Sequence, residues 1–314
     1  MGHFDAFNND LTKKNTFHNL NNHLNSLEDD YFYHLYLGKN QNDLKAMFGD
    51  VKFVCMGGTS KRMQKFAHYM KDLLGYRIPT GLTLNDITKI TDRYSMYKVG
   101  PVLFANHGIG CPSLSILLNE IMKLLHYAGC EDLTFFRIGT CGGIGVDPGT
   151  VIITDQAVDG LLRPEYRQYI LGKEKIRETQ CDRQLIKDLL KISDEMQISR
   201  KFSVVNGKTL CAHDFYEGQS RIDGVFCDYT KEEKLDFLKQ CYEKGVVNME
   251  MESLCFAGML NYAKVKFGIV CVALLNRLEN DQITASHELI LEYQERPFEI
   301  IGEYVRRKIM NNEE

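Results

Sequence analysis

No stretch of the 314-residue sequence stays apolar for the roughly 18 to 20 residues that a membrane-spanning helix requires. A surplus of positive charge is also missing. Lys and Arg number 38 against 42 Asp and Glu, a formal charge of −4, so there is no extended basic field for nucleic acid or an anionic membrane surface. Any anion bound here must meet a local cluster of cations. The ten cysteines include no C-x-x-C pair and follow no secretory leader, so free, mostly buried thiols in a cytoplasmic protein are expected rather than a disulfide framework. The start, Met1-Gly2-His3-Phe4-Asp5-Ala6, lacks the Ser or Thr at the sixth position that myristoylation requires. After Gly57-Gly58 there is neither the G-x-G-x-x-G nor the G-x-x-x-x-G-K-[ST] pattern, which argues against a nicotinamide or ATP site.

What is present is 44% apolar residues, ample for a core, in a pattern that alternates between strands and helices. Residues 1–28 are rich in Asn and read as a mobile arm. Residues 29–314 read as one domain, with no linker dividing it. Strands are expected at 51–56, 91–98, 101–106, 133–136, 150–154, 202–210 and 267–275. Helices are expected at 62–74, 114–127, 182–196, 231–243, 253–263 and 286–307, the last interrupted near Pro297. Such alternation predicts an α/β fold, a largely parallel or mixed sheet flanked by helices, with ligands bound beyond the strand ends.

The polar exceptions gather at the junctions between elements. Phe136-Arg137-Ile138-Gly139-Thr140-Cys141-Gly142-Gly143 ends an apolar run in an arginine and then glycines. There a buried strand is expected to become a loop whose backbone approaches an anion closely, with Arg137 and the Thr140 hydroxyl as donors. Gly57-Gly58-Thr59-Ser60 likewise joins a strand to a helix N-terminus, where Thr59 or Ser60 can cap the helix. Arg62 in that first turn is badly placed for the helix dipole and makes sense with an anion between them. By itself Arg93 reads as a solvated edge residue and His34 as a packed surface histidine. The stretch 211–224 is too polar for core and too aromatic for solvent, and its Cys211 and His213 are too few donors to argue for a metal. Glu250 and Glu252 precede a helix, a position that favours acidic residues.

Taken together, Gly58-x-x-x-Arg62, Arg137-Ile138-Gly139-Thr140, Phe215-Tyr216-Glu217-Gly218-Gln219-x-Arg221 and Glu250-Met251-Glu252-Ser253 resemble the uridine phosphorylases of animal type, within the type I nucleoside phosphorylases. The resemblance runs from about Asp30 to Lys308. It implies a three-layer sandwich and a reversible reaction, a step of pyrimidine salvage, in which uridine and phosphate give uracil and ribose 1-phosphate. No cofactor is implied; inorganic phosphate is a co-substrate. By resemblance Gly58, Arg62, Arg137 and Thr140 hold phosphate. Arg93 and His34 reach across a homodimer interface, Arg93 to the neighbour's phosphate and His34 to its ribose. Glu250, Met251 and Glu252 serve the ribose, while Thr140, Cys141, Gly142 and Phe215 border the base and Gln219 and Arg221 read its edge. Two departures bear on this: Cys141 stands where a hydroxyl residue is expected, and Asn276-Arg277 replaces the Asp usual in purine-specific relatives.

Overall fold

The computed structural model describes residues 17–198 and 200–311. The central sheet consists of β1 Phe53–Gly57, β2 Met96–Val99, β3 Val102–Asn106, β4 Thr134–Gly143, β5 Val151–Val158, β6 Val204–Cys211, β7 Val246–Glu250 and β8 Lys266–Asn276. The longer helices are α1 Ser60–Leu73, α2 Cys111–Ala128, α3 Arg183–Glu195, α4 Lys231–Glu243, α5 Ser253–Tyr262 and α6 His287–Met310. Strand order is β7-β6-β5-β8-β4-β1-β3-β2. The sheet is mixed: β8, β4, β1 and β3 run parallel, while β8 meets β5 and β3 meets β2 antiparallel. Helices flank it, with α1 and α3 both packed on α6 and α2 on α5. The apolar faces responsible include Phe66 of α1, which stacks on Phe298 of α6 at 4.3 Å between ring centroids.

One feature adds to the sandwich expected from the sequence. β7 also pairs antiparallel with β4, Asn248 facing Gly143 and Met249 facing Gly142, so that β4, β8, β5, β6 and β7 close on one another. Glycines permit this approach because β4 lies between β8 and β7 with no side chain at the crossing. The glycine-rich stretch is therefore strand through Gly143, where the sequence reading made it a loop after Phe136. Arg137 sits inside that strand, opposite Met56 of β1 and Ile269 of β8.

Other elements also differ from the sequence reading. Residues 91–95 turn instead of continuing β2 backwards, because side chains take the backbone bonds a ladder would need. Asp86 Oδ1 accepts from the N–H groups of Thr88 (2.9 Å) and Met96 (2.8 Å), and Thr91 Oγ1 from that of Arg93 (3.1 Å). Helix α6 runs unbroken through Pro297, whose missing N–H is outweighed by buried packing of Tyr293, Phe298, Ile300 and Ile301. The charged region before α3 forms a hairpin, Glu165–Ile170 with Lys173–Glu178, turned on Leu171 (φ 52°) and Gly172 (φ 70°). Most of the arm at 1–28 lies outside the described residues, but its last part rests on the domain. Phe17 is buried, the His18 N–H donates to the Ala263 carbonyl at 3.0 Å, and Asn19 Nδ2 donates to that of Tyr262 at 2.8 Å.

Candidate active site

A cavity of about 400 Å³ opens where the carboxyl ends of β1, β4 and β8 meet the end of β7. Every residue to which the resemblance assigns a part in the site borders it except His34 and Arg93. Arg137 forms its floor, 2% exposed. Its Nη2 pairs with Glu250 Oε2 at 2.6 Å and with Glu252 Oε2, and Nη1 lies 3.2 Å from the Cys271 sulfur. Burial alone would lower the guanidinium, but the two glutamates hold it well above its ordinary value, so Arg137 stays a cation.

Both glutamates stand where β7 passes into α5, and each is fixed by backbone. Glu250 accepts from the N–H groups of Glu252 (2.9 Å) and Ser253 (3.0 Å) and from the Ser253 hydroxyl, while Glu252 accepts from the Gly110 N–H at 2.6 Å. Burial raises the Glu250 carboxyl, with Arg137 opposing it. Burial pushes Glu252 the same way but is outweighed by Arg137, His107 and the Gly110 N–H, which leave it lowered. The two carboxyls are thus driven apart, and Glu252 is the one held ionised beside the cavity.

At the other side of Arg137 the turn from β1 to α1 brings in Gly58, Thr59 and Arg62. Neither hydroxyl caps the helix as expected: Thr59 makes no capping bond, and Ser60 Oγ accepts from Ser95 Oγ at 2.8 Å. The N-terminal turn therefore faces the cavity with its backbone. Gly58 is closely confined, since a β-carbon there would stand 3.3 Å from the Gly108 carbonyl. Arg62 donates through Nε to Gln294 Oε1 at 3.2 Å, and burial next to Arg137 brings its pKa down to about 10. Two buried cations and a helix N-terminus converging on one end make an anion site. Thr140 lies on the same wall, and burial pushes the neighbouring Cys141 thiol well up.

The opposite end is built from 215–221. The turn Glu217–Gln219 and left-handed Ser220 (φ 55°) bury Gln219 and Arg221 on either side of the half-buried serine. Arg221 is clamped by Asp223, Nε to Oδ1 at 2.8 Å and Nη2 to Oδ2 at 2.6 Å, and its guanidinium stacks on Phe215 at 4.8 Å. The sequence names Arg277 only beside Asn276, in place of a purine-type Asp, and does not reveal that it holds Gln219. Arg277, 1% exposed at the end of β8, donates through Nη2 to the Gln219 carbonyl at 2.6 Å and through Nη1 toward Gln219 Oε1 at 3.5 Å. The signal was an arginine directly after the chain's clearest buried strand, as at Arg137.

His34 and Arg93 line a separate hollow with Tyr33 and Tyr36. There His34 Nδ1 contacts Glu120 Oε1 at 2.7 Å. The two residues lie together, away from their own chain's cavity. Among the described residues no three His, Cys, Asp or Glu side chains are grouped as a metal ion would need, and no helix is long and apolar enough to cross a membrane.

The sequence matches the profile of the phosphorylase superfamily over residues 52–306. It is 47% identical to uridine phosphorylase 2 of Homo sapiens, over 93% of this chain and 91% of that protein. It is also 41% identical to the inactive uridine phosphorylase B of Schistosoma mansoni, over 92% of this chain and 95% of that one. The crystal structure of uridine phosphorylase from Schistosoma mansoni in complex with thymidine superposes with a TM-score of 0.87 at 43% identity, over 92% of this chain and 97% of that one. With an anion end, a carboxylate pair and an amide and guanidinium end in one cavity, this chain belongs to the uridine phosphorylases of the phosphorylase superfamily.

Proposed function

We propose that this chain catalyses the reversible phosphorolysis of uridine to uracil and ribose 1-phosphate, as a uridine:phosphate ribosyltransferase, using Arg62 and Arg137 at one end of the cavity and Gln219 and Arg221 at the other. The observation that carries the assignment of roles is this polarity, with Glu252, held ionised, paired to Arg137 on the cavity wall. Phosphate held by Gly58, Arg62, Arg137 and Thr140 presents an oxygen to C1′ of the ribose, whose hydroxyls bind Glu252 alongside Met251 and Glu250. The new C1′–O bond forms as C1′–N1 breaks, and the bonding pair leaves with uracil as its anion, which takes a proton from water. The sugar is cation-like at the transition state, so an orienting site for the nucleophile and a preformed acceptor for the base's charge lower the barrier together.

Uracil is selected by its hydrogen-bonding edge. Gln219 accepts from the ring N–H and donates to one carbonyl, while Arg221, donor only, serves the other, and Phe215 packs on the ring. Cytidine offers an amino group where a carbonyl is required. Purines find no acid at this position, because Asn276 carries a carboxamide in place of a carboxyl, and that amide is engaged locally, with Oδ1 accepting from Gly145 N–H at 3.2 Å and Nδ2 directed to Glu279 at 3.2 Å. The reaction needs no cofactor beyond phosphate.

The hollow of His34 and Arg93 supports a homodimer in which each subunit completes its partner's site, Arg93 at phosphate and His34 at ribose. Ten free cysteines fit a reducing compartment, the cytoplasm. A panel of uridine, cytidine and inosine at one phosphate concentration tests the selectivity. Uridine is expected to exceed both others by at least about 10²-fold, and inosine turnover above uridine turnover would transfer the assignment to purines.

A further inference from the structure

At the base end of the cavity, Arg277 and Asp281 of its wall and Lys234 behind them form a buried ion cluster that the reaction as described does not use. Asp281 Oδ1 accepts from Lys234 Nζ at 2.7 Å and from Arg277 at 3.0 Å (Nε) and 2.9 Å (Nη2), while Oδ2 accepts from the Ile222 N–H at 3.1 Å. The side chains of Lys234 and Asp281 are each 5% exposed and that of Arg277 is 1% exposed. Two buried cations therefore share one buried carboxylate. Arg221 is balanced from its solvent side by Asp223, and the carboxylates of Asp214, Glu217 and Glu279 lie in exposed positions.

The consequence is electrostatic. Alone, Asp281 would neutralise Arg277, and the pair would present little net field to the cavity. With Lys234 on the same oxygen, Arg277 keeps a net positive charge where it grips Gln219, beneath the base. A buried lysine costs desolvation that one ion pair seldom repays, so its presence on helix α4 is best explained by what its charge does. Building on the uridine phosphorolysis reading, we propose that Lys234 is a positioning residue for the leaving group. By occupying Asp281 it leaves Arg277 free to stabilise negative charge on departing uracil, acting through Gln219.

The test compares uridine with 5-fluorouridine, whose base is a weaker base and needs less stabilisation as it leaves. Lys234→Met should lower kcat on uridine about tenfold and on 5-fluorouridine by about threefold or less, with KM little changed, while Lys234→Arg should stay within about threefold of the parent. Lys234→Met combined with Asp281→Asn removes both charges and again leaves Arg277 uncompensated, so it should recover activity relative to the Lys234→Met single variant. Thermal melts run alongside; if Lys234→Met fails to fold, the double variant and Lys234→Arg are compared with the parent on both substrates. Equal losses on the two substrates, no recovery in the double variant, or an Arg variant as poor as the Met variant would overturn the proposal. Unmodified protein that releases neither uracil from uridine nor 5-fluorouracil from 5-fluorouridine would instead refute the uridine phosphorolysis reading itself.

Discussion

Arg137 folds back over Gly139, two positions along the same face of β4, so that a β-carbon on Gly139 would stand 2.7 Å from the guanidinium Nη1. The glycine is what allows an arginine to lie flat at the floor of the cavity, within reach of Glu250 and Glu252. Gly139→Ala is therefore expected to displace the guanidinium and lower kcat/KM for uridine by at least about 10²-fold. Steady-state kinetics at saturating phosphate check this, and a variant with parental kinetics would show that Arg137 does not depend on that space.

The proposed sharing of sites between subunits predicts complementation. Arg62→Ala and Arg93→Ala are each expected to be nearly inactive, because one removes phosphate binding from its own cavity and the other from the partner's. Mixed in equal amounts and allowed to exchange, they should regain about a quarter of parental activity, since half the dimers then carry one intact site. Activity that stays at background after mass spectrometry has verified mixed dimers would count against a shared site.

A buried histidine sets an acid limit on stability. His107 is fully buried beside the cavity, and burial brings its pKa from 6.5 down to about 4. The unfolded chain binds this proton first, so stability is intact above pH 6.5 and falls as the pH drops from 6.5 toward 4, by up to about 3 kcal/mol. Urea denaturation across that window should show the loss, and His107→Asn should flatten its pH dependence. An equally steep dependence in the variant would assign the loss to other groups.

Thiol chemistry separates the cysteines. Cys227 is half-buried and the other nine are buried, with Cys141 held as a thiol by burial. A native protein titrated with a chromogenic disulfide should show one fast-reacting thiol, and Cys227→Ser should remove it. Rapid loss of uridine turnover in Cys227→Ser under the same reagent would mean that one of the nine buried thiols, such as Cys141 on the cavity wall or Cys271 beside Arg137, is accessible after all.

Much of this was legible in the sequence because the chemistry sits where patterns change. Arg62 and Arg137 each interrupt a strand, glycine and helix pattern, and Gln219 and Arg221 stand in a stretch that fits neither core nor solvent. The continuation of β4 through its glycines was not legible, since glycine carries no strand preference and the pairing with Asn248 and Met249 is supplied by chain more than 100 residues away. Arg277 was visible only as part of Asn276-Arg277, and its hold on Gln219 was not legible for the same reason: Gln219 and Lys234 become its neighbours only once β8, the 215–221 turn and α4 are packed together. His34 and Arg93 look like ordinary surface residues within one chain, and the task proposed for them needs a second copy that a single sequence does not display.

Phosphate dependence tests the central claim most directly. Purified protein is incubated with uridine, with and without inorganic phosphate, and uracil and ribose 1-phosphate are quantified. The expected result is equal release of both products with phosphate and essentially none without it. Equal uracil release in the absence of phosphate would contradict the account, as would a folded protein that binds uridine and turns none of it over.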